Sequence, residues 1–216
     1  MYTPIKLNKL GVNRWFAFSK KLNREVTFYG ELEYDHWVLI EMDPEVTNYC
    51  EKPFEINHSY FDKPDKAMID MWVKRKHCEE FVNITHTNKI EPHNGNFSTS
   101  VIEKINAVKL WAQFNKHKHI IITEKEIYSN RILLENKKRL LPYNFDISSI
   151  NMELKNRIIS QVQEGINNIM DLETQLSENS NIYEFQKTLY VLIIQQLVSS
   201  NIDQKPLGPE TEVYLR

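Results

Sequence analysis

Cysteine is scarce in this chain of 216 residues, occurring only at Cys50 and Cys78. Two thiols cannot build the disulfide framework of a small secreted domain, so a reducing compartment is the expectation. Glycine occurs five times and proline eight times, which excludes collagen-like and low-complexity chains. No uninterrupted aliphatic or aromatic run is longer than residues 189–194, far short of the roughly 20 residues that a membrane-spanning helix needs. The opening stretch MYTPIKLNKL lacks an apolar core and a small-residue cleavage site, so it does not read as a signal peptide. A glycine-rich phosphate loop is missing, and the seven histidines show no zinc-site spacing. What is present is ordinary globular usage, 41% hydrophobic and 26% charged. A chain of this length buries roughly 70% of its unfolded surface and needs neither disulfides nor metal to fold. These features predict a soluble cytoplasmic protein with no membrane partner.

Acidic residues are also missing where they matter. Residues 1–24 hold Lys6, Lys9, Arg14, Lys20, Lys21 and Arg24 and no acid. Residues 104–139 hold nine basic and three acidic residues, an excess of six. From Asp146 onward there are five basic and ten acidic residues, or −5; because the whole chain carries −2, residues 1–145 carry +3. Basic clusters favour a polyanion such as DNA through counterion release, and the acidic end favours a protein partner. DNA affinity is therefore expected in residues 1–145, with Lys20, Lys21 and Arg24 among its phosphate contacts, and protein binding in residues 146–216.

Hydrophobic periodicity orders the elements. Residues 15–19 and 25–29 alternate and read as a hairpin. Leu32, Asp35, His36, Leu39 and Ile40 lie at helical spacing, and Asp43-Pro44 ends that helix. Residues 47–60 are β-rich, residues 62–65 carry turn chemistry, and residues 67–73 and 80–86 read as strands. Ser100 with Glu103 suits the cap of a helix over residues 101–116. A short strand at 120–122 follows, and Thr123 with Glu126 suits another cap. Residues 151–169 and 182–198 read as amphipathic helices, followed by a turn and a short strand at 211–215. The composition change at Leu141-Pro-Tyr143 gives the boundary, with domains at 1–145 and 146–216.

A helix, a run of mixed strands, a crossover helix and a last short strand is the order of metal-dependent nucleases of the PD-(D/E)xK type. Such enzymes need an acid on the early helix, an Asp on one strand, and an acid or amide two residues before a Lys on the next. Spacing of two puts the last pair on one strand face. The matching positions are Glu33, Asp70 within Met-Ile-Asp-Met, and Asn83-Ile-Thr85, with Val82 and Ile84 expected to face the core. Carboxylates there would hold Mg²⁺ or Mn²⁺ beside the scissile phosphate.

Gly30-Glu-Leu-Glu33, Glu41-Met-Asp-Pro-Glu-Val46, Glu51-Lys-Pro53, Ile102-Glu-Lys-Ile105, Trp111 and Ile121-Ile-Thr-Glu-Lys-Glu-Ile127 resemble, in order and spacing, TnsA, the endonuclease subunit of heteromeric DNA transposases. The resemblance covers roughly residues 12–145, with a weaker echo in the C-terminal helices. It implies an α/β, restriction-endonuclease-like core, a mixed sheet flanked by helices, followed by a small helical, winged-helix-like domain. It implies cutting at the 5′ ends of a transposon, together with a DDE transposase subunit and an AAA+ ATPase regulator bound by the C-terminal domain. Glu33, Asp70 and Asn83 take the positions of the family's metal-site residues, and Thr85 that of its lysine. Thr85 supplies no cation, so Lys74, Lys76 and Lys89 are candidates to replace it. Two alternatives stand beside this reading: a catalytically silent structural subunit of the same complex, and a winged-helix DNA-binding regulator.

Overall fold

The computed structural model describes residues 2–7, 11–60, 63–93, 95–176 and 181–215. The chain divides into two compact units, Met1–Ser129 and Asn130–Arg216. It is a mixed α/β protein whose largest sheet has four strands in mixed orientation. Among the described residues no helix is long and apolar enough to cross a membrane.

In the first unit β1 (Arg14–Ser19) and β2 (Arg24–Tyr29) form the expected hairpin, Arg14 opposite Tyr29 and Ser19 opposite Arg24. Gly30 follows at φ 97° and ψ 161°, a region essentially reserved for glycine. It turns the chain into α1 (Glu31–Glu41), which puts Glu33 in the first helical turn. The β-rich run 47–60 is two strands, β3 (Val46–Glu51) and β4 (Glu55–Tyr60), parted at Lys52-Pro53. β5 (Lys63–Met68) pairs with β4. Residues 63–65 are thus already strand rather than turn, and Phe61 and Asp62 lie outside the described residues. Pro64 is tolerated because each strand of a two-stranded ribbon is an edge.

The strand expected over 67–73 breaks at Ile69-Asp70, and β6 (Met71–Arg75) continues in the main sheet. Hydrogen bonding explains the break. Ile69 N donates to the carbonyl of Phe54, whereas Asp70 N donates to that of Val82 and Asp70 O accepts from Lys52 N. The chain changes sheets there, and Asp70 sits at the junction. β7 (Glu79–Ile84) runs antiparallel to β6. Two helices follow, α2 (Thr87–Ile90) and α3 (Thr99–Phe114), and β8 (Lys118–Ile122) returns parallel to β7, giving the order β3-β6-β7-β8. Ser98, not Ser100, caps α3 by accepting from Val101 N. Thr123 and Glu126 form the capping box of α4 (Glu124–Ile127), as their spacing predicts. Cys50, Ala67, Ile69, Trp72, Phe81 and Val108 form a core cluster between sheet and α3, with Phe54 and Trp111 against it.

The second unit begins with α5 (Arg131–Leu140), ahead of the boundary expected after residue 145. The helix belongs there because Asn136 Nδ2 donates to the carbonyls of Ile202 and Lys205 while its Oδ1 accepts from Leu207 N. The apolar spacing of residues 151–169 is shared by two helices, α6 (Met152–Gln163) and α7 (Ile169–Leu176), parted at Gly165 with φ 101°. A left-handed glycine after a helix is a common stop. α8 (Ile182–Ile194) is largely buried, and β9 (Ser199–Ser200) pairs antiparallel with β10 (Val213–Tyr214).

Candidate active site

A cleft of about 630 Å³ in the first unit is lined by Glu33, Asp70, Asn83 and Thr85, the four residues that the sequence singles out. Each arrives by a different route. α1 brings Glu33 one turn after Gly30, the sheet change presents Asp70, and β7 carries Asn83 with Thr85 just beyond its end. Val82 is fully buried, whereas Ile84, expected in the core, reaches the cleft as well.

The centre of the site is a lysine that the sequence pattern does not single out. Lys52, 1% exposed, places its Nζ 2.8 Å from Glu33 Oε1 and 2.5 Å from Asp70 Oδ1. Lys74 and Lys76 instead pair with Glu79 and Glu45, and Lys89 is exposed on the cleft wall. Burial pulls the Lys52 ammonium down, but Asp70 and Glu33 outweigh it and hold it above its ordinary value. Burial pushes the Glu33 carboxyl up, against the opposing pull of Lys52. The only local signal for Lys52 is the Lys-Pro step inside a β-rich run; its partners lie 18 and 19 residues away.

The second oxygen of each carboxylate is also engaged. Glu33 Oε2 accepts from Tyr29 N at 3.1 Å. Asp70 Oδ2 accepts from Ile84 N at 2.8 Å and Asn83 Nδ2 at 3.2 Å. Asn83 Nδ2 also reaches the carbonyl of Met68, and its Oδ1 faces His119 Nε2 at 2.9 Å. Burial, with Lys109 adding to it, holds the His119 ring below its ordinary value; because Asn83 Oδ1 can only accept, the ring bonds it through Nε2–H. This arrangement suits a hard divalent cation, because two carboxylates converge on one buried point that already attracts a positive charge. Glu33 and Asp70 would hold it, with Asn83 the third candidate, although as placed it turns its amide nitrogen toward Asp70.

Lys66, Lys89 and Lys104 line the same cleft, Lys66 paired with Glu55 at 2.9 Å and Lys104 with Asp65 at 3.4 Å. Two of the three residues expected to hold phosphates are occupied elsewhere. Lys21 Nζ donates to the carbonyls of Asp43 and Val46, and Arg24 makes a bidentate pair with Glu51, both bonds 2.6 Å. Lys20 is exposed beside the Phe18 ring.

His36, three residues after Glu33, is buried and its Nδ1 has no partner among the described residues. Burial and the Arg75 charge lower its pKa from 6.5 to about 4, with Asp70 and Glu80 opposing. The unfolded chain takes up this proton near pH 6.5 and the folded chain only near 4. The contribution of neutral His36 is therefore complete above pH 6.5 and is lost as pH falls toward 4. Between pH 7 and pH 5 the loss is expected to be about 2 kcal/mol. Urea unfolding of His36→Gln should show a pH slope flatter by that amount; an unchanged slope would locate the acid sensitivity in other groups.

No family model matches the chain, and no curated protein matches it.

Proposed function

We propose that the chain is the DNA-cutting subunit of a heteromeric transposase, with a restriction-endonuclease-like first domain that hydrolyses phosphodiester bonds at transposon ends with the help of Mg²⁺ or Mn²⁺. The observation that carries this reading is the convergence of Glu33 and Asp70, 37 residues apart in sequence, in a cleft that Lys66, Lys89 and Lys104 also line. Positive charge in the same cleft would draw a polyanion over carboxylates that otherwise repel it. The strand order also supports it, with three antiparallel strands and a fourth added in parallel after a crossover.

The residues divide the work. Lys66, Lys89 and Lys104 attract the backbone phosphates and fix the duplex without reading bases. Glu33 and Asp70 would hold the metal, and Tyr29 N, Ile84 N and Asn83 Nδ2 keep the carboxylates oriented. A divalent ion bound there supplies positive charge to the phosphoryl oxygens and makes water a better nucleophile. Thr85 contributes no charge.

The second unit is proposed to bind the AAA+ regulator and the DDE transposase. After α5 its element order is helix, an isolated bridge at Asn168–Glu212, two helices and two strands, an order compatible with a winged helix. Its last helix, α8, has a single basic residue, Lys187, and exposes Ile182 and Tyr183 near its start, a poor reader of DNA and a better surface for protein contact. The silent-subunit reading keeps one specific observation in its favour: the Lys52 ammonium already pairs with both carboxylates and offsets one of their charges.

Nicking of supercoiled plasmid and of transposon-end DNA in Mn²⁺, with and without the partner transposase, tests the proposal, and no cutting under any of these conditions leaves the silent subunit. In parallel, Lys89→Ala with Lys104→Ala should weaken binding of unrelated duplexes alike. The log–log salt slope should fall by about one for each phosphate that is no longer neutralised. A slope that does not move would put the DNA elsewhere, with Lys20 next to be changed.

A further inference from the structure

We infer that Lys52 is the positioning cation of this site, supplying from the end of β3 the positive charge that Thr85 does not supply from β7. The inference rests on the nuclease reading and adds a residue to it. Three observations carry it.

The first is place. Lys52 Nζ touches both Glu33 and Asp70, within 2.8 Å of each, and Thr85 lines the same cleft without a charge. The second is the backbone. Lys52 has φ 44°, the left-handed region that a lysine seldom enters, and its main chain is clamped on both sides. Its N donates to the carbonyl of Asp70 at 3.0 Å and its carbonyl accepts from Ile5 N at 2.9 Å. Strained backbone that is overdetermined by its surroundings concentrates at functional sites. The third is burial. A lysine 1% exposed is rare unless paired. Here the pairing partners are the two carboxylates of the candidate site, not a bystander acid.

In the reaction a water oxygen bonds to phosphorus as the bond from phosphorus to the leaving sugar oxygen breaks. One water proton reaches the leaving oxygen by way of solvent and the other remains with the phosphate monoester. Lys52 keeps its own protons throughout. It acts through Glu33 and Asp70, holding them converged and offsetting charge as it builds on the phosphate.

Removing this ammonium therefore moves two quantities in opposite directions. Without a competing positive charge, Lys52→Met should bind Mn²⁺ at least tenfold more tightly in calorimetry. At saturating Mn²⁺, single-turnover nicking of supercoiled plasmid should fall about 10²–10³-fold, in the rate rather than in the DNA concentration needed. The exchange Lys52→Gln with Thr85→Lys moves the charge to the other strand and should recover at least tenfold of that loss. Rates are referred to the folded fraction measured by circular dichroism. A structural counter-ion predicts something else: lower thermal stability, with Mn²⁺ affinity and rate per folded molecule unchanged in Lys52→Met, and that result overturns the inference. So does nicking by the exchange variant when the wild type binds Mn²⁺ but does not cut. If no variant nicks but Lys52→Met still gains Mn²⁺ affinity, Lys52 stands as the cation of the site and the nuclease reading falls.

Discussion

Asp70→Asn is expected to lower plasmid nicking at least 10³-fold and to lower stability by about 2–3 kcal/mol. The first effect follows from removing a carboxylate that no neighbour replaces, since Asn83 already turns its amide nitrogen toward this position. The second follows from the three donors that Asp70 satisfies: Lys52 Nζ, Ile84 N and Asn83 Nδ2. An asparagine there offers one acceptor oxygen and points two N–H groups at donors. Breaking a buried ion pair by removing one partner costs about 3–5 kcal/mol, and the figure here is smaller because Glu33 still faces Lys52. Glu33→Gln should cost less, because Glu33 keeps only Lys52 and Tyr29 N as partners. Urea unfolding and nicking on the same preparations separate the two effects. Full stability with lost nicking would mean that Lys52 does not depend on Asp70, and retained nicking would move the site away from this cleft.

The site was partly legible because some of its determinants are local. Gly30, the spacing from Leu32 to Ile40 and the Asp43-Pro44 stop mark α1, and the helix fixes where Glu33 lies. Thr123 and Glu126 declare their capping box within four residues. Asn83 and Thr85 come from the nuclease pattern, and strand period adds only that they share a face, although Thr85 lies just past the end of β7. What local pattern could not reveal is set by partners distant in the chain. Residues 47–60 have continuous β character, so only the bonds from Lys52 to Asp70 and Ile5 expose the interruption that turns Lys52 inward. Similarly, residues 67–73 look like one strand until Phe54 and Val82 pull Ile69 and Asp70 into different sheets. Charge counting failed at Lys21 and Arg24 for a related reason. Both look like a solvated basic run, and both are consumed by carbonyls or a carboxylate from β3 and the turn before it. In the second unit the apolar spacing of Val162, Ile166 and Ile169 continues through Gly165, so a period-based reading has no reason to stop there.

Glu41→Ala is expected to destabilise the first unit by about 4 kcal/mol, the largest loss from any single polar side chain outside the cleft. Glu41 lies at the end of α1, where a carboxylate is unfavourable to the helix dipole. It is nevertheless 2% exposed. Oε2 accepts from Ser19 Oγ at 2.9 Å and from Tyr49 Oη at 2.8 Å, while Oε1 accepts from the backbone N–H groups of Lys20 and Lys21 at 2.8 and 3.2 Å. Trp37 Nε1 extends the network by donating to Tyr49 Oη at 2.6 Å. One carboxylate thus ties the tip of the β1–β2 hairpin to α1 and β3. Truncation leaves four buried or half-buried donors without an acceptor, each worth about 1–3 kcal/mol and not additive because the tip can open to water. Glu41→Gln keeps one oxygen and should cost about half as much. The hairpin matters to the cleft because Tyr29 N, at its far end, holds Glu33 Oε2. Hydrogen exchange should therefore accelerate first at the Lys20 and Lys21 amides and then at Tyr29. If Glu41→Ala loses less than about 1 kcal/mol and leaves those amides protected, the hairpin is held by its apolar face alone.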